Sequence, residues 1–178
     1  MCTEIEAKLK VDSLTETERK LGELGAKFLG EHLQTDYFFD DANTTLTKSD
    51  KCLRLRKQKS GDSEKHFLTY KGSREDSNLK KRQEIESEIN DAGSFYKLLS
   101  ALGYEQVLVV EKKRCLWQLE GCEVALDNLP DLGDFVEIEG PDEKNIAKVQ
   151  NILGLSELPH ISKSYATLLT EKLQLFEK

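Results

Sequence analysis

Residues 3–9 read Thr3-Glu4-Ile5-Glu6-Ala7-Lys8-Leu9, with an ionised side chain at every second position from Glu4 and an apolar one between. Side chains two apart on a β-strand share a face. The stretch predicts a strand over about residues 3–11, with Glu4, Glu6 and Lys8 on one side and Ile5, Ala7 and Leu9 on the other. The same alternation recurs along the chain. Arg54 and Arg56 oppose Leu53 and Leu55, and Lys71 is in phase with Thr69 and Phe67. Arg82, Glu84, Glu86 and Glu88 oppose Ile85 and Ile89, while Lys112 and Arg114 oppose Cys115 and Trp117. Asp127 opposes Val124 and Leu126, and Glu137 and Glu139 oppose Val136 and Ile138.

Strands are predicted near 3–11, 34–40, 51–59, 64–71, 81–90, 106–119, 121–127 and 133–139. A helix is predicted over 13–29, with Ser13 or Asp12 as N-cap and Leu14, Leu21, Leu24 and Phe28 at helical spacing. A second helix, over 92–103, is capped by Asp91 and ends at Gly103. Two more, over 142–154 and 162–176, are separated by Gly154 and Pro159. The segment Gly72–Asn78 reads as a polar turn, and Glu120-Gly121 marks a hairpin. Short connections between eight strands predict an α+β fold: an eight-stranded antiparallel β-barrel with helices packed on the outside. No linker or repeat divides the chain, so residues 1–178 are expected to form a single domain.

Any one of these strands could belong to a half-solvated sheet with cross-strand ion pairs. The composition of the charged face argues otherwise. Solvated faces mix Thr, Ser, Gln and Lys, whereas here like charges are coupled: Glu4 with Glu6, Arg54 with Arg56, Glu84 with Glu86, Glu137 with Glu139. Such neighbours repel, so divalent cations are expected to compensate the acids and a polyanion the basic pairs. With the apolar faces beneath helices, the charged faces point into the barrel, where eight strands leave room for one small ligand. Oxygen donors without His or Cys suit Mg²⁺ or Mn²⁺. Arginine can grip phosphate in bidentate fashion, and lysine acts more as a point charge.

A net charge of −7 opposes nonspecific binding to nucleic acid or to an anionic membrane surface. No apolar run approaches the roughly 20 residues of a membrane helix, and the strand-like N-terminus has no signal-peptide core, so a cytoplasmic location is expected. Cys2, Cys52, Cys115 and Cys122 form no C-x-x-C pair. Cys115 and Cys122 could face each other across a hairpin, but free thiols are expected in a reducing compartment. His32, His66 and His160 are scattered, which disfavours a histidine metal site or a Ser-His-Asp triad.

Taken in order, several segments resemble the CYTH family, also called triphosphate tunnel metalloenzymes, whose founding members are class IV adenylyl cyclases and thiamine triphosphatases. They are Glu4-Ile5-Glu6-Ala7-Lys8 (the E-x-E-x-K signature), QTDYFFD at 34–40, LRLR at 53–56, TYKG at 69–72 and RQEIE at 82–86. KKR at 112–114, Asp127, GDFVEIE at 133–139 and SYATLL at 164–169 complete the series. The resemblance implies a metal-dependent enzyme acting on a triphosphate-containing small molecule inside an eight-stranded tunnel, with one or two Mg²⁺ or Mn²⁺ ions. It implies Glu4, Glu6, Asp127, Glu137 and Glu139 as metal ligands, with Glu84 and Glu86 serving a second metal or orienting neighbouring bases. Lys8, Arg54, Arg56, Lys71, Arg82, Lys112 and Arg114 become the implied triphosphate contacts. The preferred reaction, from QTDYFFD and the motif spacing, is conversion of ATP to cyclic AMP and pyrophosphate. Alternatives are hydrolysis of tripolyphosphate, thiamine triphosphate or a nucleoside triphosphate, and a non-catalytic polyphosphate- or nucleotide-binding module. The oligomeric state is left open, a homodimer being one option. Trp117 is expected to pack under a helix, Asp40 and Asp41 to begin a turn, and Lys163 to be an exposed helix lysine.

Overall fold

The computed structural model describes residues 2–75 and 79–176. Its strands are β1 (Cys2–Lys10), β2 (Lys27–Asp41), β3 (Cys52–Ser60), β4 (Ser63–Lys71), β5 (Lys80–Ile89), β6 (Tyr104–Leu119), β7 (Cys122–Leu129) and β8 (Gly133–Glu139). Its helices are α1 (Thr15–Glu23), α2 (Thr45–Lys48), α3 (Ala92–Ala101), α4 (Glu143–Leu153) and α5 (Tyr165–Phe176). The strands close into one antiparallel barrel in the order β1-β5-β4-β3-β2-β6-β7-β8. The expected fold class is the one observed.

Alternation explains where the core lies. Ala7, Leu9, Val124, Leu126, Val136 and Ile138 point outward and are buried against Leu21 of α1 and Ile146, Val149 and Leu153 of α4. On another side of the barrel, Phe39 and Leu55 pack with Leu99 and Phe95 of α3. Helix α5 behaves differently from the expected outer layer. Val110, Leu129 and Phe135 are in inward phase with Lys112, Asp127 and Glu137, and Tyr165 and Leu169 of α5 pack on them. This helix therefore closes one end of the barrel.

Local signals end the elements where they should. Asp91 accepts a hydrogen bond from the Ser94 amide at 3.0 Å, capping α3. Glu120 and Gly121 both take positive φ (52° and 77°), the twist a tight hairpin between β6 and β7 requires. Asp40 starts a turn as expected: its carboxylate accepts from the Leu46 and Thr47 amides, each at 2.9 Å, and so anchors α2. Helix α2 itself carries no signal long enough to be read from periodicity.

The predicted helix over 13–29 is corrected to α1 alone: residues 24–26 form its stop, and 27–29 begin β2. Gly25 takes φ +70°, its amide bonds to the Gly22 carbonyl, and the Ala26 amide returns to the Leu21 carbonyl at 3.0 Å. These two bonds form a Schellman stop, which satisfies the last carbonyls and turns the chain out of the helix. The N-cap position is Leu14, although the Ser13 hydroxyl still accepts from the Thr15 amide at 3.2 Å. Of the leucine-and-phenylalanine stripe, Leu21 is buried and Leu24 and Phe28 are exposed. Phe28 instead packs in a tilted contact on Trp117, ring centroids 4.9 Å apart, opposite it in the β2–β6 ladder. Trp117 packs against the core under α1 and α4. Cys115 lies opposite Leu126 and Cys122 opposite Leu119, so these thiols do not face each other, and both are free. The polar turn predicted at 72–78 is described as far as Glu75; residues 76–78 lie outside the described residues.

Leu21 is the fully buried apolar anchor of α1. Leu21→Ala is expected to destabilise the protein by about 3 kcal/mol, the cost of a partly collapsed core cavity. Urea denaturation measures this, and a loss below about 1 kcal/mol would show that α1 is not part of the core.

Candidate active site

The ladder register sets opposite charges side by side on the inward face. Glu4 lies beside Arg82, Glu6 beside Lys80, Lys8 beside Glu137, Asp36 beside Arg56, Lys71 beside Glu84, and Arg114 beside Asp127. Contacts follow from the register. Lys71 Nζ reaches Glu4 at 2.7 Å and Glu84 at 2.8 Å, and Lys8 Nζ reaches Glu137 at 3.2 Å. Arg56 clamps Asp36 with two bonds of 2.6 and 2.7 Å, and Arg54 stands 3.6 Å from the same carboxylate. Glu86 accepts from Thr69 at 2.7 Å and lies 3.3 Å from Arg54, while Arg114 bonds Glu137. Burial makes this pairing necessary, since an isolated ion in the interior is costly.

These side chains line one cavity of about 560 Å³. Of the residues singled out in the sequence, Glu4, Glu6, Lys8, Arg54, Arg56, Lys71, Arg82, Glu84, Glu86, Lys112, Arg114, Glu137 and Glu139 all reach it. Asp127 stands apart from the lining. It has no exposed surface, and its oxygens receive Arg114, Lys112 Nζ at 3.1 Å and the Tyr165 hydroxyl at 2.9 Å. Asp127 is placed to hold two basic residues in position, and its bonds leave little room for a metal. Lys163 is exposed and pairs with Glu171 at 2.7 Å; its carbonyl accepts from Lys8 Nζ at 3.2 Å.

Four contributors escaped the sequence reading: Asp36, Lys80, Glu123 and Tyr165. Asp36 was legible: it alternates with Tyr37 in QTDYFFD and so shares the inward phase of Gln34 and Phe38. Lys80 lies one residue before the predicted start of its strand and pairs with Glu6. Tyr165 had no signal in spacing. Its ring lies 4.0 Å from Lys8 Nζ and 4.9 Å from Lys112 Nζ, a cation–π arrangement set by the docking of α5.

The charge balance of the lining is uneven in two places. Glu139 is flanked in the ladder by Glu6 on β1 and Glu123 on β7, so three carboxylates stand in one row. Partial burial, followed by the charges of Glu4, Glu6 and Glu123, pushes the Glu139 carboxyl up to about 7. Among the described residues no three such groups converge closely enough to form a ready-made metal site. The donor set nevertheless fits a hard divalent cation, because it is oxygen-only and carries surplus negative charge. On the basic side, the buried Nε groups of Arg54 and Arg82 find no hydrogen-bond acceptor among the described residues. Burial, then repulsion from Arg114, pushes Lys112 down to about 7. An anion in the cavity would favour the charged form of Lys112.

Fold and site together define an antiparallel barrel with an ionic interior, closed at one end by a helix. The CYTH domain model matches residues 3–165, and the chain belongs to that family. It is similar to "Putative adenylate cyclase MJ0240" of Methanocaldococcus jannaschii, 30% identical over 174 residues, covering 93% of this chain and 97% of that protein. It is similar also to "Adenylate cyclase CyaB" of Aeromonas hydrophila, 29% identical over 156 residues, covering 83% and 78% of the two chains. The solved structure of PH1819 from Pyrococcus horikoshii OT3 superposes with a TM-score of 0.83 at 32% identity, covering 95% of this chain and 99% of that one.

Asp36 tests the ion-pair account. Burial alone would raise its carboxyl, but Arg56 and Arg54 overcome that and hold it well below the usual range. Asp36→Asn leaves buried arginine charge uncompensated and is expected to cost about 3 kcal/mol near neutral pH. The contribution of Asp36 is complete above its ordinary titration range near pH 3.8 and fades as pH falls below it. Wild-type and variant stabilities should therefore converge in acid; a constant difference across pH would contradict the account.

Proposed function

We propose that the protein is a metal-dependent enzyme acting on a triphosphate, and that its reaction is the adenylyl cyclase type, ATP to cyclic AMP and pyrophosphate. The observation that carries the triphosphate reading is the convergence of seven predicted basic residues on one cavity beside the carboxylate row Glu6–Glu139–Glu123. The cyclase reading rests further on the names of the two relatives, one of them similar along nearly its whole length.

In this reading Arg54, Arg56, Arg82 and Arg114 grip phosphate oxygens, and Lys8, Lys71 and Lys112 contribute point charges. Glu4, Glu6, Glu137 and Glu139 would hold Mg²⁺ or Mn²⁺, which when bound neutralises charge on the phosphates. Glu84 and Glu86 orient Lys71 and Arg54 through the contacts they already make. The basic residues align the triphosphate so that the ribose 3′-hydroxyl approaches the α-phosphorus; its oxygen forms the new P–O bond, its proton passes to solvent in the cavity, and the bond to pyrophosphate breaks. Positioning and charge stabilisation are the main contributions a protein makes to such a transfer. The departing pyrophosphate keeps its basic contacts.

Incubating the purified protein with ATP and Mg²⁺ or Mn²⁺ and separating the products tests the reading. Cyclic AMP with pyrophosphate is the expected outcome, and a chelator should abolish it. ADP with phosphate would replace the cyclase by a hydrolase. Tight binding without turnover of ATP, thiamine triphosphate or tripolyphosphate would leave only a binding module. Arg82→Ala is expected to lower kcat/KM by about 100-fold, the scale of removing a transition-state charge contact. Lys112 gives a second readout. A bound polyanion favours its charged form, so triphosphate binding above neutral pH should take up protons, and Lys112→Met should reduce that uptake. Calorimetry in buffers of different ionisation enthalpy measures the difference.

A further inference from the structure

Lys80 reaches the cavity and has no part in the reaction described above. It is the inward residue before Arg82 on β5, since Lys81 between them pairs with exposed Glu75 at 2.8 Å. The β1–β5 ladder sets Lys80 opposite Glu6, and its ammonium is ion-paired with that carboxylate, both side chains being almost fully buried. Glu6 is also the member of the acid row that stands beside Glu139 on β8. One carboxylate thus faces a lysine on one strand and an acid on the other.

The other lysines near this row are held from more than one side. Lys71 bonds Glu4 at 2.7 Å and Glu84 at 2.8 Å. Lys8 reaches Glu137 and the Lys163 carbonyl, each at 3.2 Å, and its ammonium lies over the Tyr165 ring. Among the described residues, Glu6 is the one hydrogen-bonded partner of the Lys80 ammonium. Two residues along a strand span roughly 7 Å, so a phosphate held by Arg82 lies within the sweep of the flexible Lys80 stem.

We infer that Lys80 is a shared counter-ion: in the empty barrel it occupies Glu6 and so weakens the hold of the acid row on a divalent cation, and a triphosphate frees Glu6 by drawing the ammonium to itself. The inference rests on the triphosphate reading above and goes beyond it, because it makes one lysine the coupling between the anion and cation sites. A divalent cation at Glu6 would compete with Lys80 for the same carboxylate and meet its positive charge at close range. Phosphate oxygens give the ammonium another acceptor, so it can leave Glu6 without becoming an unpaired buried charge. Burial opposes the charge on Lys80, but Glu6 and then Glu137 outweigh it and keep the ammonium protonated near neutral pH.

Lys80→Met removes the charge and keeps most of the stem, whereas Lys80→Arg keeps the charge. Two equilibria of the full chain are measured separately. One is Mn²⁺ binding without any polyanion, followed by electron paramagnetic resonance of the free ion; the other is tripolyphosphate binding with a chelator present, followed by calorimetry. Lys80→Met is expected to bind Mn²⁺ about fivefold or more tightly than wild type and tripolyphosphate about fivefold or more weakly, the scale of one charge-assisted contact. Lys80→Arg should stay within about threefold of wild type for both. Opposite signs for the two ligands identify the shared counter-ion, because a variant that merely loosens the barrel weakens both. Weaker or unchanged Mn²⁺ binding by Lys80→Met, or unchanged tripolyphosphate binding, would overturn the inference. If all three proteins bind tripolyphosphate alike, the triphosphate reading stands and only the role of Lys80 falls; if none binds it, both fall. Should Lys80→Met fail to fold, Lys80→Gln takes its place with the same expected signs.

Discussion

A closed barrel turns one face of every strand away from bulk water, and in this protein that face is ionic. Each charge taken inside loses hydration, and only an opposite charge at hydrogen-bonding distance can offset the loss. The ladder register provides it: Glu4 beside Arg82, Lys8 beside Glu137, Asp36 beside Arg56, Lys71 beside Glu84. A one-residue slip of any strand would carry its charges to the outer face and its apolar residues inward. Outer core and inner ion pairs therefore enforce the same register from opposite sides of the sheet.

That compensation is incomplete in two places, and both point to ligand chemistry. The row Glu6–Glu139–Glu123 brings carboxylates together where the ladder elsewhere alternates sign. The guanidinium Nε groups of Arg54 and Arg82 are buried without an acceptor among the described residues. A divalent cation beside the carboxylate row is the counter-charge that the proposed reading supplies. Asp127 lies behind the lining and holds Lys112 and Arg114, while Tyr165, itself on the cavity wall, bonds Asp127 and sets its ring against Lys8 and Lys112. Because Tyr165 arrives on α5, closure of the barrel end and placement of these cations are one packing event.

Much of this was legible before any coordinates. Period-two alternation set the faces of seven strands, and all but one of the predicted site residues reach a common cavity. The exception, Asp127, has the expected phase but is covered by its own partners. Asp36 obeyed the same alternation and could have been found by applying it to QTDYFFD. The helix over 13–29 failed for a local reason. Leucine spacing continues past the Schellman stop at Gly25, while the hydrogen bonds available to residues 27–33 lie on the neighbouring strand β6, far along the chain.

The sequence by itself determined which faces are charged, hence the antiparallel barrel and the ionic interior. Those properties follow from backbone periodicity and from residue type, both of which are local. Only the tertiary structure decided which acid meets which base, where acids are left without compensation, and that α5 enters the barrel end with Tyr165. Distance between strands far apart in the chain depends on register, closure and helix docking, and no spacing along one strand encodes it.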